Sequence, residues 1–240
     1  MDAKIEFVSM VEGLADIEEC RPKPAKHFVP QWFKDIPPNP NQAHLTAKRC
    51  PSFTDYFSLG YVMPMWTDFK LKYEDEKMSW ESSSEDFRMR NHFNEQFIDY
   101  VDPNFYGVEG NFIFLTESPW RIITPKGWSV LQLPMFYHFN SEFSAIPGVI
   151  DTDVVTQTHH SILYHGKGKE IEIKRGTPLA LYIPFKRDST FLDIDVRSST
   201  QDDLEHFNKV DVIFRQAEEY GTYRHLQRQR NKGLTEPHSL

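Results

Sequence analysis

The chain has 240 residues, 39% hydrophobic and 14% aromatic, which is enough for one large core, and its 26% of charged residues is ordinary for a globular protein. A formal net charge of −8 repels nucleic acid and anionic membranes at long range, which argues against a general nucleic-acid binder. Cys20 and Cys50 give neither a disulfide framework nor metal spacing, no run nears the roughly 18 apolar residues of a membrane helix, and MDAKIEFVSM lacks an export layout, so a soluble cytoplasmic protein is expected.

Ile5, Phe7 and Ser9 fall on one face of an extended chain, a short strand able to join a larger sheet. Prolines at 22, 24, 30, 37, 38, 40 and 51 then exclude long helices and central strands, leaving PAKHFVPQWFKDIP a turn or two of helix. Phe28, Trp32, Phe33 and Ile36 are expected to clamp this arm. FTDYFSLGYVMPMWTDFKLKY opens on a helical turn and passes Gly60 into strand-like residues ending in Phe69, Leu71 and Tyr73. EDEKMSWESSSED reads as a hairpin connection or exposed loop, and FRMRNHFNEQF suits a strand or a short helix equally.

From Phe112 the pattern is regular. The runs FIFL, WRII, SVLQL, SILYH, EIEI and LALYIPF are separated by SP, TPKG, IPGVIDTD, GKGK and KRGTP, turn clusters at roughly 8 to 12 residue spacing, the cadence of an antiparallel sandwich or barrel. From about Thr200 to Arg230, Leu204, Phe207, Val210, Ile213, Phe214, Ala217 and Tyr220 recur at threes and fours, an amphipathic helix with a Ser or Thr cap, interrupted near Gly221.

The string PGVIDTD followed by EIEIKRGTPLALYIPF resembles the late strands of the dUTPase family, which carries GVID and then a KGxRIAQLI-like strand. In that geometry Gly148 would bend the chain sharply into a cavity, and the resemblance implies that the Asp151 carboxylate helps activate an attacking water. The family's AGYDL-like segment, PRSGLA-like phosphate cradle and glycine-rich C-terminal arm are replaced here by GWSVLQL and an amphipathic helix, so the shared feature is backbone geometry of the β-clip type. A longer resemblance, over residues 22 to 188, is to an uncharacterised bacteriophage-associated family found in marine phages and some bacteria. It is carried by PAKHFVPQWF, KRCPSFTDYFSLGYVMPMWTD, PWRIITPKGWSVL, PGVIDTD and GTPLALYIPFKR in that order. It implies a phage-type β-sandwich in the host-cell cytoplasm or the virion.

The expected architecture is therefore mainly β, a single antiparallel β-sandwich or β-clip (jelly-roll-like) domain over 53–190. An N-terminal strand and proline-rich arm occupy 1–52, and a helical appendage occupies 191–240.

Candidate site residues are the polar ones embedded in apolar motifs: Asp55, Asp68, His92, Gln96, Lys126, Asp151, Asp153, Lys186 and Arg187. Asp151 and Asp153 flank Thr152, so on an extended chain they face one side, where two carboxylates could bind a cation or share a proton. They could equally accept backbone N–H bonds in a tight turn, the reading favoured here. With His92 they would form the water-activating set of an enzyme. His138, Glu142, His159 and His160 suggest a two-histidine, one-carboxylate metal site. His159 and His165, however, lie roughly 20 Å apart along a strand, and packed or exposed histidines are favoured, with no cofactor expected and a divalent metal the only candidate. Lys186 and Arg187 could hold an anion or pair with Asp151 and Asp153, and the salt bridge is favoured. Nucleophile elbow, P-loop and dinucleotide fingerprints are missing. The expected function is binding or assembly, with self-association or another protein as partner and nucleic acid only through the basic segment Arg224 to Lys232. The alternative is an enzyme acting on a small phosphorylated or carboxylated ligand in a dUTPase-like or cupin-like cavity.

Overall fold

The computed structural model describes residues 3–37, 46–75, 77–92, 96–100, 112–166, 169–189 and 194–216. The chain forms two compact units, Met1–Phe28 with Leu59–Phe191 and Val29–Ser58 with Leu192–Leu240.

The first unit is the antiparallel β structure that the strand cadence predicts. Its strands are β1 (Glu6–Ser9), β2 (Lys23–Pro24), β3 (Tyr61–Pro64), β4 (Phe69–Glu74), β5 (Lys77–Ser82), β6 (Met89–Asn91), β7 (Phe112–Ile123), β8 (Trp128–Pro134), β9 (Phe143–Ala145), β10 (Gly148–Ile150), β11 (Gln157–Tyr164), β12 (Ile171–Ile173) and β13 (Pro178–Lys186). One sheet runs β1-β7-β11-β9 with β6 also on β7, a second runs β10-β8-β13-β3-β2, and a third runs β12-β4-β5. Inward residues of all three meet in one core. Phe114 and Ile162 come from the first sheet, Met63, Val130 and Tyr182 from the second, and Phe69, Leu71 and Ile171 from the third. Aromatic contacts tie them together: Phe69 lies 5.8 Å from Phe114, and Tyr73 stacks on Phe112 at 4.2 Å.

Four sequence expectations are corrected here. FIFL and WRII are not two strands but one, β7, which runs through Ser118 and Pro119. The pairing register with β11 shifts between Gln157 and His159, so Pro119 sits in an irregular stretch where its missing N–H breaks no ladder bond. Polar EDEKMSWESSSED contains a strand, β5, which forms a hairpin with β4 through Asp75 at φ 50°. Its polarity is that of a sheet edge, which faces water and reads like a loop. IPGVIDTD is also more than a turn, because Gly148–Ile150 pairs with Val130–Gln132 before the chain reverses. Gly148 makes no forced bend, since a side chain there would meet nothing within 4 Å. Gly60, in contrast, is required by geometry. Its φ is +71°, and a Cβ would stand 2.2 Å from the Tyr182 carbonyl oxygen.

The second unit contains α1 (Gln31–Asp35), α2 (Pro51–Tyr56) and α3 (Gln201–Gln216). Phe33 stacks near Phe53 at 6.0 Å and packs on Phe57 at 4.6 Å, and the Lys48 amine lies over its ring. α3 starts where the cap signal placed it. Asp203 N donates to Thr200 Oγ1, while Thr200 N donates back to Asp203 Oδ2 at 2.7 Å, a reciprocal capping box. Residues from 217 onward, including Ala217, Tyr220 and Arg224 to Lys232, lie outside the described residues. Cys20 and Cys50 are free thiols, and among the described residues no helix is long and apolar enough to cross a membrane.

Candidate functional site

Three strand ends meet where β8 begins. β13 runs antiparallel to β8 and finishes with Lys186 opposite Trp128, which delivers Arg187 beside the turn that precedes β8. β10 flanks β8 on its other side and finishes with Ile150 opposite Val130, so Asp151, Thr152 and Asp153 arrive from the opposite direction. Register thus brings together residues that three separate motifs supplied.

Arg187 is the hub. Its Nη1 donates to Asp153 Oδ1 at 2.9 Å and its Nη2 to Asp153 Oδ2 at 2.6 Å, a bidentate pair. Nη1 also reaches Ser129 Oγ at 2.9 Å, the Trp128 carbonyl at 3.0 Å and Asp151 Oδ1 at 3.3 Å. Gly127 N donates to Asp153 Oδ2 at 2.8 Å, and Ser129 Oγ donates to Asp151 Oδ1 at 2.6 Å. Below this layer the Thr124 and Thr152 hydroxyls bond at 2.7 Å, joining the end of β7 to the turn. The Asp151 carbonyl accepts from Val154 N and Val155 N, which closes the turn itself.

The two carboxylates differ in setting. The Asp153 side chain is 5% exposed and that of Asp151 56%. The Arg187 guanidinium, helped by the Gly127 N–H, holds the Asp153 carboxyl at about 2, below the usual carboxylate range. Both Asp153 oxygens are engaged and the group stays ionised, so it is a fixed counter-charge and a poor proton acceptor near neutral pH.

Beside this cluster opens a groove of about 590 Å³ lined by Ala3, Lys4, Ile5, Tyr61, Thr124, Pro125, Trp128 and Pro184. Its walls are mostly apolar and aromatic. Thr124 and Trp128 belong both to the groove and to the Arg187 cluster.

The other sequence candidates lie elsewhere. His92 pairs through Nδ1 with Gln96 Oε1 at 2.9 Å, and its N–H bonds Ile113 O near the start of β7. Thr124 follows the far end of that strand, roughly 35 Å away at the rise of an extended chain. His92 and Gln96 therefore form a local pair that does not join Asp151 and Asp153. Asp68 Oδ1 accepts from Arg175 N at 2.9 Å and fixes the turn before β13. Asp55 lies on α2 in the second unit. Lys126 stands exposed at the tip of the turn before β8, and Lys186 turns to Asp188 at 3.6 Å. The histidines are also dispersed. His138 Nε2 bonds Phe28 O at 2.9 Å, His159 lies 4.0 Å from Glu117, His160 is buried, and His165 Nε2 bonds Ser144 Oγ at 2.9 Å. The Glu142 carbonyl accepts from His165 N. Among the described residues no group of three or more His, Cys, Asp or Glu could hold a metal.

Sequence reasoning missed Thr124, Gly127, Ser129 and Thr152. Ser129 and Thr152 are fully buried polar residues beside named motif positions, and a buried hydroxyl among apolar neighbours calls for a partner. That was the available signal.

No family model and no curated protein matches the chain. Solved structures with some similarity include dUTPases. That of Staphylococcus aureus phage phi11 is 9% identical over 82% of this chain and 97% of its own, with a TM-score of 0.37. The Staphylococcus bacteriophage 80alpha enzyme is 8% identical over 82% and 99%, with a TM-score of 0.38. The EIAV dUTPase is 11% identical over 59% and 87%, with a TM-score of 0.32. At scores this low the likeness carries no argument, and the reading of the site rests on its own geometry.

Proposed function

We propose that this chain is a phage-type β protein that works by binding or assembly, with the Asp151–Arg187–Asp153 cluster as a structural clasp rather than an acid–base pair. The observation that supports this is the use of the Asp153 carboxylate: both oxygens serve Arg187, one also serves Gly127 N, and the group is almost fully covered. A clasp of this kind fixes three strand ends and holds the groove wall at Thr124 and Trp128 in place. Binding then falls to the groove and to the surface near β10, where Val149, Val154 and Val155 are 60%, 77% and 53% exposed. A second copy of the chain or another protein would bury them there. In this reading the arm 1–52 and the appendage 191–240 serve assembly around the β domain 53–190.

Light scattering over a wide concentration range tests assembly, and the expected result is a defined oligomer. A monomer throughout would count against it. Elemental analysis with a thermal-shift screen against divalent metals and nucleotides tests the enzyme alternative. A stoichiometric metal or a saturable nucleotide shift would replace the binding reading with chemistry on a small phosphorylated ligand.

A further inference from the structure

The inward face of β11 carries polar groups in the middle of the core. Thr158 and His160 are two residues apart, so they project to the same side of the strand, and they are only 1% and 2% exposed. From β13 of the facing sheet the Tyr182 ring lies nearly parallel to the His160 imidazole, 15° between planes at 6.0 Å. The Tyr182 hydroxyl donates to Gln132 Oε1 at 2.9 Å, and Gln132 Nε2 donates to Ile146 O at 2.8 Å, so both of those side chains are served. His160 Nδ1 meets the Thr116 hydroxyl at 3.5 Å, the outer limit of a hydrogen bond. His160 Nε2 and Thr158 Oγ1 are buried with no partner, as is Trp120 Nε1, which comes from the irregular stretch of β7 that faces Thr158.

Folded proteins leave very few buried polar atoms unpaired, because each loses its water without gaining a replacement. Three such atoms on two neighbouring strands mark a patch that protein groups alone do not serve. A charged ligand does not suit it. No Asp, Glu, Lys or Arg stands among the buried core residues described, the covered Asp153 belonging to the Arg187 cluster instead, and burial pushes the His160 imidazole down to about 4, which keeps it neutral near pH 7. A small neutral molecule able both to donate and to accept fits the chemistry, and water is the ordinary occupant of such places, making two to four bonds. Thr158 also interacts with the Tyr182 hydroxyl, a contact outside strict hydrogen-bond geometry that still offsets part of the effect of burial on the phenol, so Tyr182 adds a third neighbour.

We propose that the core between β11 and β13 contains an internal hydration site, in which at least one ordered water bridges His160 Nε2 and Thr158 Oγ1. The site would be part of the fold, since its removal leaves both groups stranded.

The test turns on a sign. Thr158→Val keeps the shape and removes the hydroxyl. If a water bridges the pair, the variant strips that water of a partner and the melting temperature falls by about 3 to 6 °C. If the hydroxyl is dry and unpaired, the same change removes an unmet polar group and the melting temperature rises. The double variant Thr158→Val with His160→Phe replaces both partners by apolar groups and should recover at least half of the single-variant loss. An unchanged or higher melting temperature for Thr158→Val overturns the proposal. Should that variant fail to fold, a crystal structure of the unaltered chain decides: density within hydrogen-bond distance of both atoms supports the site, and its absence at a resolution that shows other buried waters refutes it.

Discussion

Arg187 grips Asp153 through two near-parallel hydrogen bonds, 2.9 Å from Nη1 and 2.6 Å from Nη2, and its planar fork matches the carboxylate edge. A lysine offers a point charge and cannot repeat this geometry. Arg187→Ala should lower the melting temperature on the order of 5 to 10 °C, because it leaves a covered carboxylate without its cation. Arg187→Lys should fall between that value and the parent. Differential scanning calorimetry of the two variants gives the ranking, and equal values for lysine and arginine would mean that the bidentate contact contributes nothing.

Asp151 should behave differently from its neighbour. Its side chain is 56% exposed, against 5% for Asp153, and its partners Ser129 and Arg187 have other contacts. Asp151→Asn should change the melting temperature by no more than about 2 °C, whereas Asp153→Asn should cost several times that. A larger loss at Asp151 would reverse the assignment of Asp153 as the buried anchor.

Stability should fall with acid in two separable windows. His160 is held at about 4 against an ordinary 6.5, so the unfolded chain binds more protons between those values. Its contribution is complete above pH 6.5 and is lost as the pH falls toward 4, a span of about 3 kcal/mol by linkage. Asp153, lowered from 3.8 to about 2, keeps its contribution above its unfolded value and loses it only as pH falls through 2. Urea midpoints measured from pH 2 to 8 should slope upward between about 4 and 6.5, and His160→Phe should flatten that slope while leaving the separate fall below about 3.8.

Gly60→Ala is expected to be costly for its size. The new methyl would stand 2.2 Å from the Tyr182 carbonyl oxygen, at a φ of +71°. A loss of more than about 1 kcal/mol in chemical denaturation is expected. An alanine tolerated within error would show that β3 and β13 separate easily at that end.

At the start of α3, Thr200→Ala removes one half of the reciprocal cap with Asp203. Amide exchange in the first turn of the helix should quicken by an amount corresponding to about 1 kcal/mol. Exchange in β7 and β13 provides an internal control and should stay unchanged.

EIEI was legible because one face of β12 is buried and the other wet, so alternation appears directly in the residue types, whereas LALYIPF, buried on both faces from Leu179 to Tyr182, was legible as a short continuous apolar run bounded by turn residues. Edge strands were not. β5 puts Lys77, Ser79 and Glu81 toward solvent and so carries the composition of a loop. β7 was split at Pro119 because a proline inside a run signals an ending, and only the pairing partner reveals that the ladder is irregular at that point. In the site, the DTD carboxylates and Arg187 were singled out by being polar in apolar motifs, and they do converge. His92 was grouped with them on residue type alone, although nothing in its spacing constrained where it would land. Ser129 lies in no nucleophile motif, and its role as a hydrogen-bond bridge needs the register of β8 against both neighbours.

The contacts of Arg187 reach 34, 36 and 58 positions back along the chain, to Asp153, Asp151 and Ser129. Loops of that length close slowly, and the clasp has no geometry until β8, β10 and β13 are all in register. It is therefore a late structure in folding and an early one to break. Its bonds belong to the step that holds the finished state closed, so weakening them should quicken unfolding while leaving the rate of folding nearly untouched. The three strand ends act as a latch on a fold that other contacts assemble.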